Sequence, residues 1–346
     1  MQREVRSQLT TFELPIWAYL LMGLGLIGFI ALTASYVRRN HGVNRPFFAS
    51  PYVLWIIIFT VVPCLLVAYY AFTDVNGTLT LDNFAAFWDS NYLARKHMAD
   101  DLAVYAEMGI TAEDLGLGYG AVNVSTLVFS VWMAFLCTVA CLLLGYPAAH
   151  FMAERDFKAG PVLIVLFIVP MWMNFLLRTV ALMELMESNG IINSFLEWVG
   201  IGRLKLLNTS GAVLFGMIYN FLPFMVFPIY NVLNKMDYKL SEAAMDLGCN
   251  KWQVFYKVTM PLSVPGVVSG ITMVFMPAVT TFYISRLLGG STVQLFGDLI
   301  ESKFLSATIA DWNPGSAMSL IMMILMLISI GILRKVDPEG EGGGAV

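Results

Sequence analysis

The chain has 346 residues, of which 58% are hydrophobic and only 13% are charged. A soluble fold carries roughly a quarter of charged residues to cover its surface, so most of this protein's outer surface must face something other than water. With a mean hydropathy of +0.72 and a net charge of −4, the composition predicts an integral membrane protein and excludes a basic nucleic-acid-binding protein. The four cysteines show no paired spacing outside apolar runs, which argues against a disulfide framework.

Seven stretches of the chain are long and apolar enough to cross a bilayer, since a helix needs about 20 residues to span the hydrocarbon core. They are 14–36, 50–73, 123–152, 160–184, 211–234, 262–286 and 315–334. The first is too long for a cleaved signal peptide, so we interpret it as a retained helix. The sequence therefore predicts an all-α, polytopic transmembrane helix bundle.

The distribution of basic residues predicts the orientation of the chain. One set of connections carries eleven Lys and Arg near the ends of the spans, and the opposite set carries seven over longer segments. Because basic residues concentrate on the cytoplasmic side, we expect the N-terminus outside and the C-terminus in the cytoplasm.

The longest outer connection, 74–122, carries eight acids against Arg95 and Lys96. It is either a solvated loop or a source of a field that attracts cations. Residues 94–117 within it predict one or two short amphipathic helices.

The connection after the fifth span, 235–261, predicts two short helices outside the bilayer. Four apolar residues lie at i, i+3, i+4 and i+7 on one face of the first helix: Leu240, Ala243, Ala244 and Leu247. Gly248 lies where a left-handed residue would end that helix.

The second helix of this connection opens with a capping box formed by Asn250 and Gln253. It carries a stripe of Trp252, Phe255, Tyr256 and Thr259, and Pro261 is expected to stop it. Two explanations are open for the apolar faces of both helices. They pack on each other or on the membrane surface, or they insert into a groove on a partner.

A motif in this connection resembles a known family. Glu242-Ala243-Ala244, three residues, Gly248, nine residues and Val258-Thr259-Met260-Pro261 are similar to the EAA loop of ATP-binding-cassette importer permeases. Val258 and Met260 replace the Ile and Leu of that pattern. In the family this loop docks into the ATPase subunit. The resemblance thus implies a coupling role for Glu242, Ala243, Ala244, Gly248, Trp252 and Pro261.

The resemblance extends over about 47–335, specifically to the first of the two permease subunits of spermidine/putrescine-type importers. It is carried by the segments 49–55, 170–179, 219–225, 228–230 and 287–290. The resemblance does not cover the first helix and covers residues 94–118 poorly, and 279–286 departs from the family's usual run of small residues and prolines. The resemblance implies a six-helix permease core at 47–335, preceded by a tail, extra helix and basic connector at 1–46. A flexible tail, 336–346, follows.

The resemblance also implies the protein's partners and location. These are a second, related permease as the other half of a heterodimeric pore, a cytoplasmic ATPase dimer, an extracytoplasmic substrate-binding protein, and the bacterial inner membrane. The cargo it implies is a polyamine. No phosphate-binding loop is present in the sequence, so we expect ATP hydrolysis in a separate subunit, with no cofactor or metal in this one.

Arg178 is the clearest candidate for the translocation path, because ionisable groups at membrane depth usually face the bundle interior. Asn174 is expected one turn earlier on the same helix face. Arg178 either pairs with Glu184 or extends to the membrane surface, or it lines the route. In the second case we expect it to hold a carboxylate in place rather than to touch a cationic cargo.

The remaining path candidates are an acid near the outer end of the fourth span and four aromatics: Glu184, Trp172, Tyr219, Tyr230 and Tyr283. Glu184, with Glu187, is either an exposed acidic cap or an acceptor for ammonium groups. The aromatics either pack and anchor the helices or bind cations through their ring faces. The sequence also predicts helix breaks at the prolines within the spans: Pro170, Pro223, Pro228, Pro265 and Pro277.

Other functions remain open at this stage. The protein is alternatively a permease for another small organic solute, a membrane anchor or sensor that recruits a cytoplasmic partner through the 235–261 connection, or an isolated channel. Genes for an ATPase and a binding protein beside its own would favour the importer.

Overall fold

The computed structural model describes residues 52–100, 119–154, 159–200, 202–290, 292–305 and 312–336. The predicted extra helix at 14–36, residues 101–118 of the outer connection and the tail from 337 onward lie outside these ranges.

The described residues form helices and no named strand. In chain order the helices are α1 (Tyr52–Ala71), α2 (Asp82–Trp88), α3 (Tyr92–Asp100), α4 (Val122–Ala153), α5 (Gly160–Ile168), α6 (Phe175–Met186), α7 (Ile191–Trp198), α8 (Ser210–Lys235), α9 (Lys239–Asp246), α10 (Lys251–Thr280), α11 (Phe296–Leu305) and α12 (Trp312–Val336). Helices α1, α4, α8, α10 and α12 are long and apolar enough to cross a membrane. The segments Gly160–Trp172 and Phe175–Trp198, which hold α5, α6 and α7, reach the length and apolarity of a further span only together, with a bend of 97° between them. The predicted all-α transmembrane bundle is confirmed.

The fourth predicted span is not one straight helix. A 3₁₀ turn at Val169–Trp172 follows α5, Met173 is extended, and α6 then starts at a bend of 97°. Pro170 lies in this turn, where its missing N–H removes a helical hydrogen bond. The predicted helix break at Pro170 is confirmed, and the predicted span over 160–184 consists of two helices rather than one.

The other prolines do not break their helices. Pro223 and Pro228 lie inside α8, and Pro265 and Pro277 lie inside α10. The prediction of a break at each of these four was wrong, because packed neighbouring helices and small local adjustments tolerate proline in transmembrane helices.

The core of the molecule lies where α4, α8 and α10 pack together. A Cβ atom on Gly266 of α10 would lie 3.0 Å from the carbonyl oxygen of Pro228 and 3.1 Å from Cα of Ile229 in α8. These distances are shorter than most real Cβ contacts, so glycine at 266 allows the two backbones to approach closely, the usual way that membrane helices gain packing contacts. Helix α12 packs against α1 at the side of this core.

Ion pairs hold together the described part of the outer connection. Asp82 in α2 accepts hydrogen bonds from Lys96 and Thr80, and these lower the pKa of its carboxyl to about 2. Arg95 pairs with Asp89, which is buried and also accepts the backbone N–H of Gly120 at 3.1 Å. Both basic residues of the connection thus pair with acids and fasten α3, so two of its eight acids have a structural role.

Candidate functional site

The turn between α9 and α10 has the geometry that the sequence predicted. Gly248 adopts φ of +87°, in the left-handed region that favours glycine. Its N–H donates to the carbonyl oxygen of Met245 at 2.9 Å, and that of Cys249 donates to Ala244 at 3.0 Å. This pair of bonds is the Schellman motif that ends a helix. These local bonds end α9 and fix the direction in which the chain leaves it.

A capping box opens α10, as predicted. The side chain of Asn250 accepts the N–H of Gln253 at 2.9 Å, and the side chain of Gln253 accepts the N–H of Asn250 at 2.9 Å. These two bonds satisfy N–H groups that have no partner within the helix.

Pro261 does not stop this helix, so that prediction was wrong. Residues Phe255–Thr259 form a π-helical turn, in which the N–H of Met260 donates to the carbonyl oxygen of Phe255. Pro261 lies at the start of the following α-helical segment, where its missing N–H is tolerated. The arm that begins at Lys251 is therefore continuous with a helix that runs to Thr280.

The apolar faces of the two arms are exposed. The exposed fraction is 87% for Leu247 and 71% for Trp252, and Leu240, Met245 and Tyr256 are exposed as well. The two arms therefore do not cover each other's apolar side chains, and Glu242 of the EAA motif is also exposed. This hairpin, 239–256, presents apolar groups that its own fold leaves uncovered.

Phe255 joins the hairpin to α4. Its ring packs edge-on against Tyr146 and His150 of α4, with ring centroids 5.9 and 5.2 Å away. Ser263 lies one turn beyond the π-helical turn of α10. Its hydroxyl is hydrogen-bonded to the hydroxyl of Tyr146 in α4 at 2.8 Å. The hairpin is therefore in contact with α4 as well as continuous with α10.

Arg178 lies buried at the break between α5 and α6. Its Nε donates to Oδ1 of Asn220 in α8 at 2.8 Å, and its Nη1 donates to the carbonyl oxygen of Pro170 at 3.0 Å. Among the described residues no acid forms an ion pair with it, neither Glu184 nor another. The expected pair with Glu184 was wrong, because an amide and a backbone carbonyl accept two of the N–H donors of the guanidinium instead. That Arg178 holds a carboxylate in place stays a prediction.

Asn174 occupies a different position from the expected one. It is the N-cap of α6, where Oδ1 accepts the N–H groups of Leu176 at 2.8 Å and Leu177 at 3.4 Å. It precedes the helix rather than sharing a face with Arg178, because the span breaks immediately before it. Glu184 and Glu187 are both exposed at the far end of α6.

Arg178 lies between two cavities. The first, of about 340 Å³, is lined by Phe175, Phe221, Thr281 and Tyr283 among others, and we name it the Tyr283 cavity. The second, of about 250 Å³, is lined by Phe167, Pro170, Tyr219 and Pro223 among others, and we name it the Tyr219 cavity. Arg178 lines both cavities, and its guanidinium carbon lies 5.8 Å from the centroid of the Tyr219 ring.

The structure thus brings together three of the seven predicted path residues: Arg178, Tyr219 and Tyr283. Trp172, Asn174, Glu184 and Tyr230 line neither cavity. Tyr230 is buried in the hydrophobic core and Trp172 is exposed beside the break.

Comparison with known proteins places the chain in a family. The family model of the binding-protein-dependent transport system inner membrane component matches residues 116–339. The spermidine/putrescine transport system permease protein PotB of Escherichia coli K12 is 39% identical over 228 residues, which are 65% of this chain and 82% of that protein. The spermidine/putrescine transport system permease protein PotB of Haemophilus influenzae is 35% identical over 285 residues, which are 82% of this chain and 90% of that protein. The chain belongs to this family of permeases.

A solved structure shares the permease's fold. It is the crystal structure of a bacterial ABC transporter involved in the import of the acidic polysaccharide alginate, with a TM-score of 0.61 at 14% identity. The match covers 88% of this chain and 98% of that one. The resemblance to importer permeases that the EAA motif indicated is confirmed, as is the multi-pass inner membrane class.

Sequence reasoning missed several residues of the permease that the structure brings to the site. Asn220 binds Arg178 from α8, and Tyr146 binds Ser263 from α4. An amide in the middle of an apolar span is itself a signal, because such a group needs a partner there. Nothing local in the sequence shows that Tyr146 and Ser263 meet.

Proposed function

We propose that this permease is a transmembrane subunit of an ATP-binding-cassette importer that carries polyamines such as spermidine and putrescine. The observation that carries the proposal is the hairpin at 239–256, whose apolar groups are exposed and whose second arm continues into the spanning helix α10. A docking element with this continuity transmits a partner's movement directly into the membrane. The cargo is inferred from the similar permeases, which belong to spermidine/putrescine transport systems.

The proposed assembly has four kinds of component. A second, related permease supplies the other half of the passage, an ATPase dimer docks on the hairpins at the cytoplasmic side, and a soluble protein delivers cargo outside. Closure of the ATPase dimer on ATP displaces the hairpin. The displacement passes along α10 and, through Phe255 and Tyr146, into α4. The passage alternates between a state open to the outside and a state open to the cytoplasm. ATP shifts the equilibrium between them only because it binds the two states with different affinities.

The described walls of the two cavities fit the apolar part of a polyamine better than its charges. The Tyr283 cavity offers the rings of Phe175, Phe221 and Tyr283 and no acid among its lining residues. Methylene segments pack against such rings, and ammonium groups are attracted to ring faces by about 0.5–2 kcal/mol. In this proposal Arg178 organises the wall through Asn220 and Pro170 and does not bind the cargo.

Uptake of labelled spermidine and putrescine into proteoliposomes tests the proposal. The vesicles hold the complete complex, with its binding protein on the outside and ATP enclosed. We expect accumulation that depends on ATP and on the binding protein and is absent from vesicles with a non-hydrolysable nucleotide. ATP-dependent uptake of a different solute, with none of polyamines, would overturn the cargo. No ATP-dependent uptake by an assembled, ATP-hydrolysing complex would favour the anchor or sensor function.

A further inference from the structure

Helix α7 (Ile191–Trp198) presents an apolar face that nothing in the described structure covers. The exposed fraction is 71% for Ile191, 59% for Phe195 and 81% for Trp198, and Val199 beside them is 51% exposed. These residues lie at i, i+4, i+7 and i+8, so they share one side of the helix. With eight residues, α7 is about 12 Å long and too short to span a bilayer.

The other side of α7 is fastened to the protein. Asn193 is fully buried, and its Nδ2 donates to the carbonyl oxygen of Glu187 at 2.9 Å. Its Oδ1 accepts the N–H of Leu204 at 2.9 Å. These bonds fix the helix from both flanking loops, so the direction of its apolar face is set by the fold.

Helix α7 lies at the end of the bundle opposite to the hairpin. The loop after it leads to Ser210, the first residue of α8, and is held there by the N–H of Asn208, which donates to the carbonyl oxygen of Leu288 at 2.8 Å. Helix α8 has 26 residues and is therefore about 39 Å long. It ends at Lys235, beside the hairpin. The start of α8, and with it the loop from α7, thus lies near the opposite surface of the membrane.

Charged groups border the apolar face on one side. Arg203 donates from Nε to Glu197 at 3.0 Å and from Nη1 to Asn189 at 3.0 Å, and these contacts are exposed. An apolar face with an exposed tryptophan, bordered by charged groups, is typical of helices that lie in the plane of the membrane interface.

We propose that α7 is an interfacial helix, with Phe195 and Trp198 among the lipid chains and the Arg203–Glu197 pair at the level of the headgroups. Lipid is the occupant that this position favours, because the face lies at a membrane surface and nothing in the described part of the subunit covers it. A soluble binding protein that leaves after each delivery would return four large apolar side chains to water. The helix anchors the outer end of the broken span α5–α6 against the bilayer.

Quenching of a fluorescent label by lipid and by water-soluble ions tests this proposal. The complete complex is placed in nanodiscs after Cys64→Ser has removed one accessible thiol; Cys137 and Cys141 are fully buried. Cys249 on the hairpin stays, and the signal of its label is measured in the complex without a cysteine on α7 and subtracted. A bimane label is attached at Phe195→Cys. Glu197→Cys, on the charged side of the same helix, is the matched control, and Val199→Cys repeats the measurement on the apolar side. Each labelled complex is used only where its basal ATP hydrolysis matches the unlabelled complex.

We expect phosphatidylcholine with a doxyl group on its acyl chain to quench the labels at 195 and 199 at least about threefold more than iodide does. The control label at 197 should show the opposite ratio. Stronger quenching by iodide at 195 and 199 would place the face in water. Protection from both quenchers would place a protein there, the second permease or the binding protein. Either result overturns the proposal without bearing on the transport function.

Discussion

Arg178 donates its Nε hydrogen to Oδ1 of Asn220 across 2.8 Å, and this bond joins the helix after the break, α6, to the middle of α8. The same guanidinium binds the carbonyl oxygen of Pro170 before the break, at 3.0 Å. Asn220 in turn donates to Thr179 at 3.3 Å and to the carbonyl oxygen of Gly216 at 2.9 Å. One buried cation therefore holds both sides of a broken span against its neighbour.

Asn220→Leu should destabilise the permease, because it leaves the Nε–H of a buried guanidinium without its acceptor. Such an unsatisfied group costs about 1–3 kcal/mol or more when it is charged. We expect a lower unfolding temperature in detergent and a lower rate of uptake. Asn189→Leu is the control, since it removes an exposed hydrogen bond to Arg203 and should change the unfolding temperature little. Equal effects of the two substitutions would refute a special role for the buried bond.

Gly248→Val should uncouple the permease from the ATPase. A β-branched residue at φ of +87° is strained by about 1–2 kcal/mol, and relief of the strain would change the angle between α9 and α10. We expect near-normal membrane levels with a sharp loss of ATPase co-purification and of cargo-stimulated hydrolysis. Glu242→Ala should have a milder effect of the same kind.

Gly200→Val is the matched control for this experiment. Gly200 has φ of +86°, and an added Cβ meets nothing within 4 Å at either glycine. Gly200 lies after α7, at the opposite end of the bundle. If both variants lose the ATPase equally, general destabilisation explains the loss and the hairpin is not the coupling element.

Tyr146→Phe should weaken the transmission of movement from the hairpin to α4. It removes the hydroxyl that is bonded to Ser263 and keeps the ring that contacts Phe255, so the stability should fall by only about 1 kcal/mol. We expect fewer polyamine molecules imported per ATP hydrolysed. Tyr119→Phe, which removes an exposed bond to the carbonyl oxygen of Trp88, should leave this ratio unchanged. An unchanged ratio in both variants would show that the bond is only structural.

Acid should loosen the outer helices α2 and α3. The pKa of Asp82 is about 2, lowered by its bonds to Lys96 and Thr80 from an ordinary value of 3.8. A lowered folded-state pKa means that the stabilisation is fully present above the unfolded value and is lost as the pH falls through about 2. Amide hydrogen exchange, corrected for intrinsic rates, should show protection of α2 and α3 falling between pH 4 and 2. Asp82→Asn should reduce that fall, whereas Asp74→Asn, an exposed acid nearby, should preserve it.

The orientation predicted from the basic residues can be tested with reporters of membrane sidedness. A reporter fused before Leu14 should lie outside the cell, and one inserted at 37–47 should lie in the cytoplasm. Both reporters on one side would remove the extra span. If the first reporter lies in the cytoplasm and the second outside the cell, the true topology of the whole permease is the inverse of the predicted one.

Features built from bonds between near neighbours could be predicted from the sequence. The left-handed Gly248, the capping box of Asn250 with Gln253 and the apolar lengths of the spans each depend on residues within a few positions, or on composition alone. The spacing of the EAA motif, which is also a local feature, indicated the family. Proline was the misleading local signal, because its effect on a helix depends on what packs around it: the chain bends at Pro170 and continues through Pro223.

Only the tertiary structure decided which distant groups meet. Arg178 and Asn220 are 42 residues apart and Tyr146 and Ser263 are 117 apart, and no periodicity reports such contacts. The burial of Tyr230 and the exposure of Trp198 were equally undetermined, since both are aromatic residues of apolar segments. Apolar character determines that a segment leaves water. Whether its side chains then contact protein or remain at the surface depends on how the helices are arranged against each other, because in a membrane both surroundings are apolar.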